Sequence, residues 1–210
     1  MSIIENFQNI HLELPKSVKL CAVSKFHPAS CIEELYDIGH RIFGESRPQE
    51  LAQKAATLPR DIEWHFIGHL QTNKVNIVVE HASLIESVDS ERLLSAISKE
   101  AVKQNKKVKV LLQLHIAKEE AKQGFTETEI IEILSVPAPE GIEIVGLMAM
   151  ATYTSDDKQI KNEFLQAKSL YDKYPNLTTL SMGMSGDYPI AIECGANSVR
   201  IGSIIFGGRY

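Results

Sequence analysis

The three cysteines, Cys21, Cys31 and Cys194, include no CxxC pair. An odd count without paired spacing excludes a disulfide framework and the common zinc patterns. There is no run of about 18 apolar residues, so no segment reads as a membrane span. The opening stretch, MSIIENFQNIHLELPKS, lacks a basic start followed by an apolar run. No signal peptide is therefore expected, and the expected location is cytoplasmic. An excess of positive charge is also missing. The net charge of −5 argues against nucleic-acid phosphates or an anionic membrane as the main partner. No low-complexity segment or linker interrupts the chain.

What is present fits one globular unit. The 210 residues, 44% hydrophobic and 23% charged, suffice for a buried core with a solvated surface, and a single domain over 1–210 is expected. Cys21, set among Leu20, Ala22 and Val23, reads as a small buried hydrophobe. Eight short apolar runs recur: Lys19–Lys25, Arg41–Glu45, Glu63–Gly68, Ser83–Val88, Val108–Ile116, Ile142–Ala151, Thr179–Ser185 and Ser198–Ile201. VKVLLQLHI and IEIVGLMAMA are apolar at nearly every position, as strands covered on both faces should be. Between the runs lie helical patterns. Pro28–Gly39 gathers Ile32, Leu35, Tyr36 and Ile38 near one face, and Ser90–Gln104 carries Leu93, Leu94 and Ile97 behind a cap at Asp89 or Ser90. Thr126–Leu134 opens on the capping-box pattern TETE, and Asp156–Tyr174 is stopped by Pro175.

Strands alternating with helices imply a parallel sheet, since parallel neighbours need crossover connections. An open doubly wound sheet usually carries a Gly-rich phosphate loop after its first strand. Here that position reads VSKFHP, without glycine. The expected fold is a single α/β (β/α)8 TIM barrel of parallel strands with a short N-terminal helix.

In such a barrel the working residues gather at the C-terminal strand ends. Lys25 directly follows KLCAVS. A lysine there commonly just opens a solvated loop. A desolvated one has a lowered pKa, and its neutral amine attacks aldehydes. LSMGMSGD (180–187) and VRIGSIIFGGR (199–209) occupy the loops where barrels bind phosphate. Gly202 and Ser203 would start a short helix whose N–H groups face the anion, and Ser185 would add a hydroxyl. Ordinary turn glycines and a helix cap are the bland alternative. An aldehyde-reactive lysine beside a phosphate site points to pyridoxal 5′-phosphate (PLP). Arg200, always protonated, would donate to the pyridine nitrogen and weaken the ring as an electron sink. Such a site suits holding the cofactor, or limited α-proton chemistry.

AVSK (22–25), FGESRPQE (43–50), EWHFIGHLQTNK (63–74) and IESVDS (85–90) resemble the pyridoxal phosphate homeostasis proteins, as do GLMAMA (146–151), LSMGMSGD and VRIGSIIFGGR. The resemblance runs from about Val18 to the C-terminus. It implies a PLP-binding barrel similar to the N-terminal domain of alanine racemase, serving intracellular vitamin B6 and amino-acid homeostasis without established turnover. By motif it makes Lys25 the Schiff-base lysine, Ser185, Gly202 and Ser203 phosphate ligands, and Arg200 the pyridine-nitrogen partner. It admits small amino acids and PLP-dependent apoenzymes as further partners, and a monomer is the expectation. The chain departs from the family at Ser46 and at His115, both commonly asparagine.

Other candidates carry less. His65 and His69 lie four apart across a strand end, without a third metal ligand in the sequence, so no metal is expected. His65 reads as a barrel-interior histidine with a satisfied hydrogen bond, and His69 as opening the helix after the third strand. Met148, Met150, Met182 and Met184 read as core filling, and KQNKKVK (103–109) as a solvated helix end. The alternative functions are a PLP-dependent amino-acid racemase and a barrel binding another phosphorylated ligand. A two-base racemase needs a second acid/base, typically a tyrosine, from a further domain and a partner subunit. The chain runs only to Tyr210, which favours the carrier reading and no catalytic residue.

Overall fold

The computed structural model describes residues 2–117 and 123–208. The eight strands are β1 (Lys19–Val23), β2 (Ile42–Glu45), β3 (Glu63–Phe66) and β4 (Leu84–Val88), then β5 (Val108–Leu114), β6 (Ile142–Ala149), β7 (Thr179–Ser181) and β8 (Ser198–Ile201). They close into a barrel in chain order, β1 pairing in parallel with both β2 and β8. The helices are α1 (Ile3–Glu13), α2 (Ala29–Asp37), α3 (Pro48–Thr57), α4 (Val75–His81), α5 (Glu91–Lys103), α6 (Glu127–Leu134), α7 (Asp157–Tyr171), α8 (Tyr188–Glu193) and α9 (Ser203–Phe206). A 3-10 turn at Thr72–Lys74 precedes α4. This is the expected (β/α)8 barrel, with α1 before the first strand.

Local chemistry sets the helix starts. Ser90 accepts the Leu93 N–H at the head of α5, so Ser90 rather than Asp89 is the cap. Thr126 and Glu129 close the expected capping box on α6. On α2, Ile32 and Leu35 are fully buried three residues apart, so one apolar stripe packs against the sheet.

Several strands end earlier than the apolar runs do. β1 stops at Val23 and β7 at Ser181, because the chain peels into loops at the barrel's C-terminal rim. Gly183 turns there at φ +90, in a loop where a Cβ would lie 2.7 Å from the Ala191 methyl, so only glycine fits. The methionines therefore divide. Met148 and Met182 are core, whereas Met184, beyond that turn, is 41% exposed and is not core filling. His69 does not open a helix either. The chain after it forms the 3-10 turn, and the His69 ring meets Asp89 instead (Nδ1···Oδ2 3.1 Å).

Most of the apolar core lies between the strands and the helices. Inside the barrel, Leu84, Leu111 and Met148 form a small separate cluster. Barrel interiors are usually filled by bulky branched residues. Here part of the middle layer is polar instead, and it positions the site.

Candidate functional site

In β1 the side chains alternate between the faces. Cys21 Sγ lies with ligand-type atoms of His65 and Glu86 within 4.8 Å, which puts Cys21 inside the barrel. By the two-residue period, Val23 continues that inner face while Ser24 faces out, and Lys25 follows in the turn at the C-terminal end of the strand. Lys25 is partly buried.

The residues on either side of Lys25 are pinned by α3. Lys54, 6% exposed, donates to the Ser24 carbonyl (2.9 Å), to Glu45 Oε1 (2.7 Å) and to Glu50 Oε1 (2.8 Å). The Ser24 hydroxyl also donates to Glu45 Oε1 (2.6 Å), and Glu50 accepts the Phe26 N–H (2.7 Å). Phe26 sits at φ +69, a conformation non-glycine residues rarely adopt, so this bond holds a strained turn in place. Arg47 lies 4.4 Å over the Phe26 ring. Burial raises the Glu45 carboxyl above its usual range, against the opposing charge and hydrogen bonds of Lys54 and Ser24. Its Oε2 is buried without a partner.

The loops after β7 and β8 come together. The Gly202 N–H donates to Ser185 Oγ (3.3 Å), joining the loop after β7 to the start of α9, and Ser203 is the first residue of that helix. His27 stacks on Phe206 (5.1 Å), so the Lys25 loop packs against the same short helix. A backbone N–H, a hydroxyl and a helix start in one place suit an anion. At the same rim His115 Nδ1 is buried with no hydrogen-bond partner.

Arg200 points into the barrel. Its Nη1 donates to Ser181 Oγ (2.5 Å), its Nη2 to the Ala149 carbonyl (3.1 Å), and Glu86 Oε2 lies 3.6 Å away. Glu86 accepts from Ser181 Oγ (2.6 Å) and pairs with His65 Nδ1 (2.6 Å). Burial opposes the Glu86 charge, but the His65 hydrogen bond, the charges of His65 and Arg200, and the Ser181 hydroxyl outweigh it and hold the carboxyl below its usual range. His65 is thus the satisfied interior histidine expected.

Cys21 and Glu86 also give His65 the metal-type neighbours that His69 does not. Burial, then the Glu86 charge, push the Cys21 thiol well above its usual pKa, away from the thiolate a metal needs. Both Glu86 oxygens already accept hydrogen bonds, and the Arg200 cation is adjacent. That chemistry suits an ion-pair layer rather than a dication.

The structure therefore gathers Ser185, Gly202 and Ser203 at one corner of the rim, with Lys25 at the mouth and Arg200 beneath it. Glu86, Ser181 and Lys54 are additions that sequence reading missed. Glu86 had a visible signal, a carboxylate inside the apolar run LIESV. Lys54 had none, since a lysine on an amphipathic helix looks solvated.

Across residues 1–210 the chain matches the family described as alanine racemase, N-terminal domain. It is 39% identical over 193 residues to the pyridoxal phosphate homeostasis protein of Helicobacter pylori, covering 90% of this chain and 87% of that protein. It is 38% identical to the protein of that name from Synechocystis sp., covering 97% of each. The chain belongs to the pyridoxal phosphate homeostasis protein family. Among solved structures, PipY of Synechococcus elongatus without PLP superposes with a TM-score of 0.92 at 37% identity, over 98% of this chain and 100% of that one. PipY with PLP bound gives 0.88 at 36% identity. A Clostridium difficile alanine racemase shares the fold alone, with a TM-score of 0.79 at 17% identity over 56% of its length. Among the described residues, no helix of this family member is long and apolar enough to cross a membrane.

Proposed function

We propose that this homeostasis-family protein is a single domain that holds PLP as a Schiff base on Lys25, carrying or buffering the cofactor within vitamin B6 and amino-acid homeostasis. PLP, when bound, supplies an aldehyde that condenses with an amine and a ring that withdraws electrons from what is attached. Ser185 Oγ, the Gly202 N–H and the head of α9 at Ser203 bind the phosphate. Arg200 donates to the pyridine nitrogen, and the α3 clamp on Ser24 and Phe26 fixes where the Lys25 amine sits. The observation that carries this reading is the Gly202–Ser185 contact at the rim of a barrel whose first strand delivers Lys25 to the same mouth.

A holding role is favoured over turnover by the charge of Arg200. A permanent cation keeps the pyridine nitrogen unprotonated and limits carbanion stabilisation. The competing amino-acid racemase needs a second acid/base facing Lys25. Tyr210, noted in the sequence, lies outside the described residues. PLP addition followed by borohydride reduction and peptide mapping tests the central claim. The expected result is one pyridoxyl adduct, on Lys25, lost in Lys25→Ala. Label spread over surface lysines would refute it. Rapid, Lys25-dependent exchange of the α-proton of L-alanine in deuterated buffer would overturn the holding role.

A further inference from the structure

A chain of hydrogen bonds crosses the barrel beneath the mouth, linking four strands: His65 on β3, Glu86 on β4, Ser181 on β7 and Arg200 on β8. Its polarity follows from chemistry. A carboxylate only accepts, so the Ser181 hydroxyl spends its single hydrogen on Glu86 and must receive its other bond from Arg200. By the same rule His65 gives its Nδ1–H to Glu86. His65 also lines a cavity of about 150 Å³ at the N-terminal end, together with Lys19, Glu63 and Lys109 among others. Every link is between 2.5 and 2.6 Å and every member is buried.

We propose that Glu86 is a positioning residue for Arg200, and that His65 and Ser181 hold Glu86 in that task. The inference rests on the PLP reading and says how the ring-nitrogen partner is set. Arg200 has five N–H donors. Ser181 and the Ala149 carbonyl take two, and Glu86 balances the charge from 3.6 Å. The guanidinium is thereby fixed in its plane with a defined set of N–H groups left over for a ring. It is also presented as half of a compensated pair rather than as a bare buried cation. Apolar residues would fill this layer without the cost of burying charge, as in most barrels, so packing alone does not call for a carboxylate here. The other titratable or charged groups facing the chain are Cys21 and, beyond the strands, His40. With Lys19, Glu63 and Lys109 at the lower cavity, they complete its electrostatic surroundings.

The test uses the full protein reconstituted with PLP, and follows PLP affinity and the pH titration of its absorbance. Glu86→Gln keeps an acceptor but deletes the charge. It is expected to weaken PLP binding about tenfold and move the absorbance titration to lower pH by about one unit, since an uncompensated cation favours loss of the proton. His65→Gln still donates to Glu86 and should shift the titration less, and Ser181→Ala should weaken binding while Lys25 remains the adduct site. If Glu86→Gln does not fold, His65→Gln and Ser181→Ala decide. A merely structural role would lower thermal stability and leave the titration in place. Wild-type protein that takes up no PLP would fail this proposal and the functional reading together. Variants that titrate like the wild type and bind within twofold of it would overturn this proposal alone.

Discussion

Replacing Lys54 by methionine should destabilise the protein in a way that depends on pH. Lys54 is the cation of a buried cluster in which Glu45 is fully inaccessible and keeps only the Ser24 hydroxyl once the ammonium is gone. A bare buried carboxylate is costly, so the folded variant takes up a proton instead. The cost of that proton caps the penalty. Relative to the ordinary value of 4.5, holding Glu45 neutral at pH 7 costs about 3.4 kcal/mol, and at pH 5 about 0.7 kcal/mol. The Ser24 carbonyl also loses its partner, adding about 1 kcal/mol at either pH. The sign follows from linkage. A carboxyl whose folded pKa is raised contributes stability that is present at low pH and lost as pH rises. Urea denaturation of Lys54→Met should show a deficit of at most about 4 kcal/mol at pH 7, because burial already raises Glu45 in the wild type, shrinking to at most about 2 kcal/mol at pH 5. Adding Glu45→Gln should remove the pH dependence. A deficit equal at the two pH values, or below about 1 kcal/mol at pH 7, would refute the buried-pair reasoning.

His40 gives the opposite slope. Burial between Phe7 and Phe43 lowers its pKa to about 4 from 6.5, and its Nε2–H is committed to the Ile42 carbonyl (2.8 Å). A lowered base contributes stability above the unfolded value and loses it as pH falls. About 3 kcal/mol should disappear between pH 6.5 and 4, and His40→Gln, which keeps a donor, should flatten that part of the curve in urea titrations. Gly183→Ala should cost about 2–4 kcal/mol in thermal or urea unfolding, from a positive φ and the clash with Ala191. Ser185→Ala should weaken PLP binding about tenfold in a fluorescence titration, the value of one hydrogen bond to a charged phosphate, while adduct formation on Lys25 persists.

The barrel was legible because each of its strands announces itself locally. VKVLLQLHI and IEIVGLMAMA are apolar on both faces, and the segments between them carry capping residues that the structure uses, Ser90 and Thr126 among them. Strand ends were less legible. An apolar residue at a rim is indistinguishable by pattern from one in a strand, so Met184 read as core although it sits past the Gly183 turn. The contact between the loops at Ser185 and Gly202 was legible for a different reason. Gly202, Ser203 and Ser185 are close to strand ends whose order in a barrel is fixed, so sequence position implies spatial position.

The polar layer illustrates what sequence order cannot convey. Glu86 and Ser181 are 95 residues apart and meet only because β4 and β7 face each other across a closed barrel, while Arg200 meets both from β8. Side-chain alternation says that each points inward, but not which inward residues share a layer. That depends on the stagger of the closed sheet. Lys54 is the same problem from the outside, since its three oxygen partners come from β2, the loop after β1 and its own helix. Local pattern thus specifies the scaffold and the corner where a phosphate would sit. Closure of the barrel then decides that the lysine at the mouth is flanked by a clamp and that the arginine below it is held by a carboxylate. Both are electrostatic settings, one acting on the backbone beside Lys25 and one on the Arg200 guanidinium. The stability slope of Lys54→Met and the spectral shift of Glu86→Gln are therefore independent measurements of how that mouth is tuned.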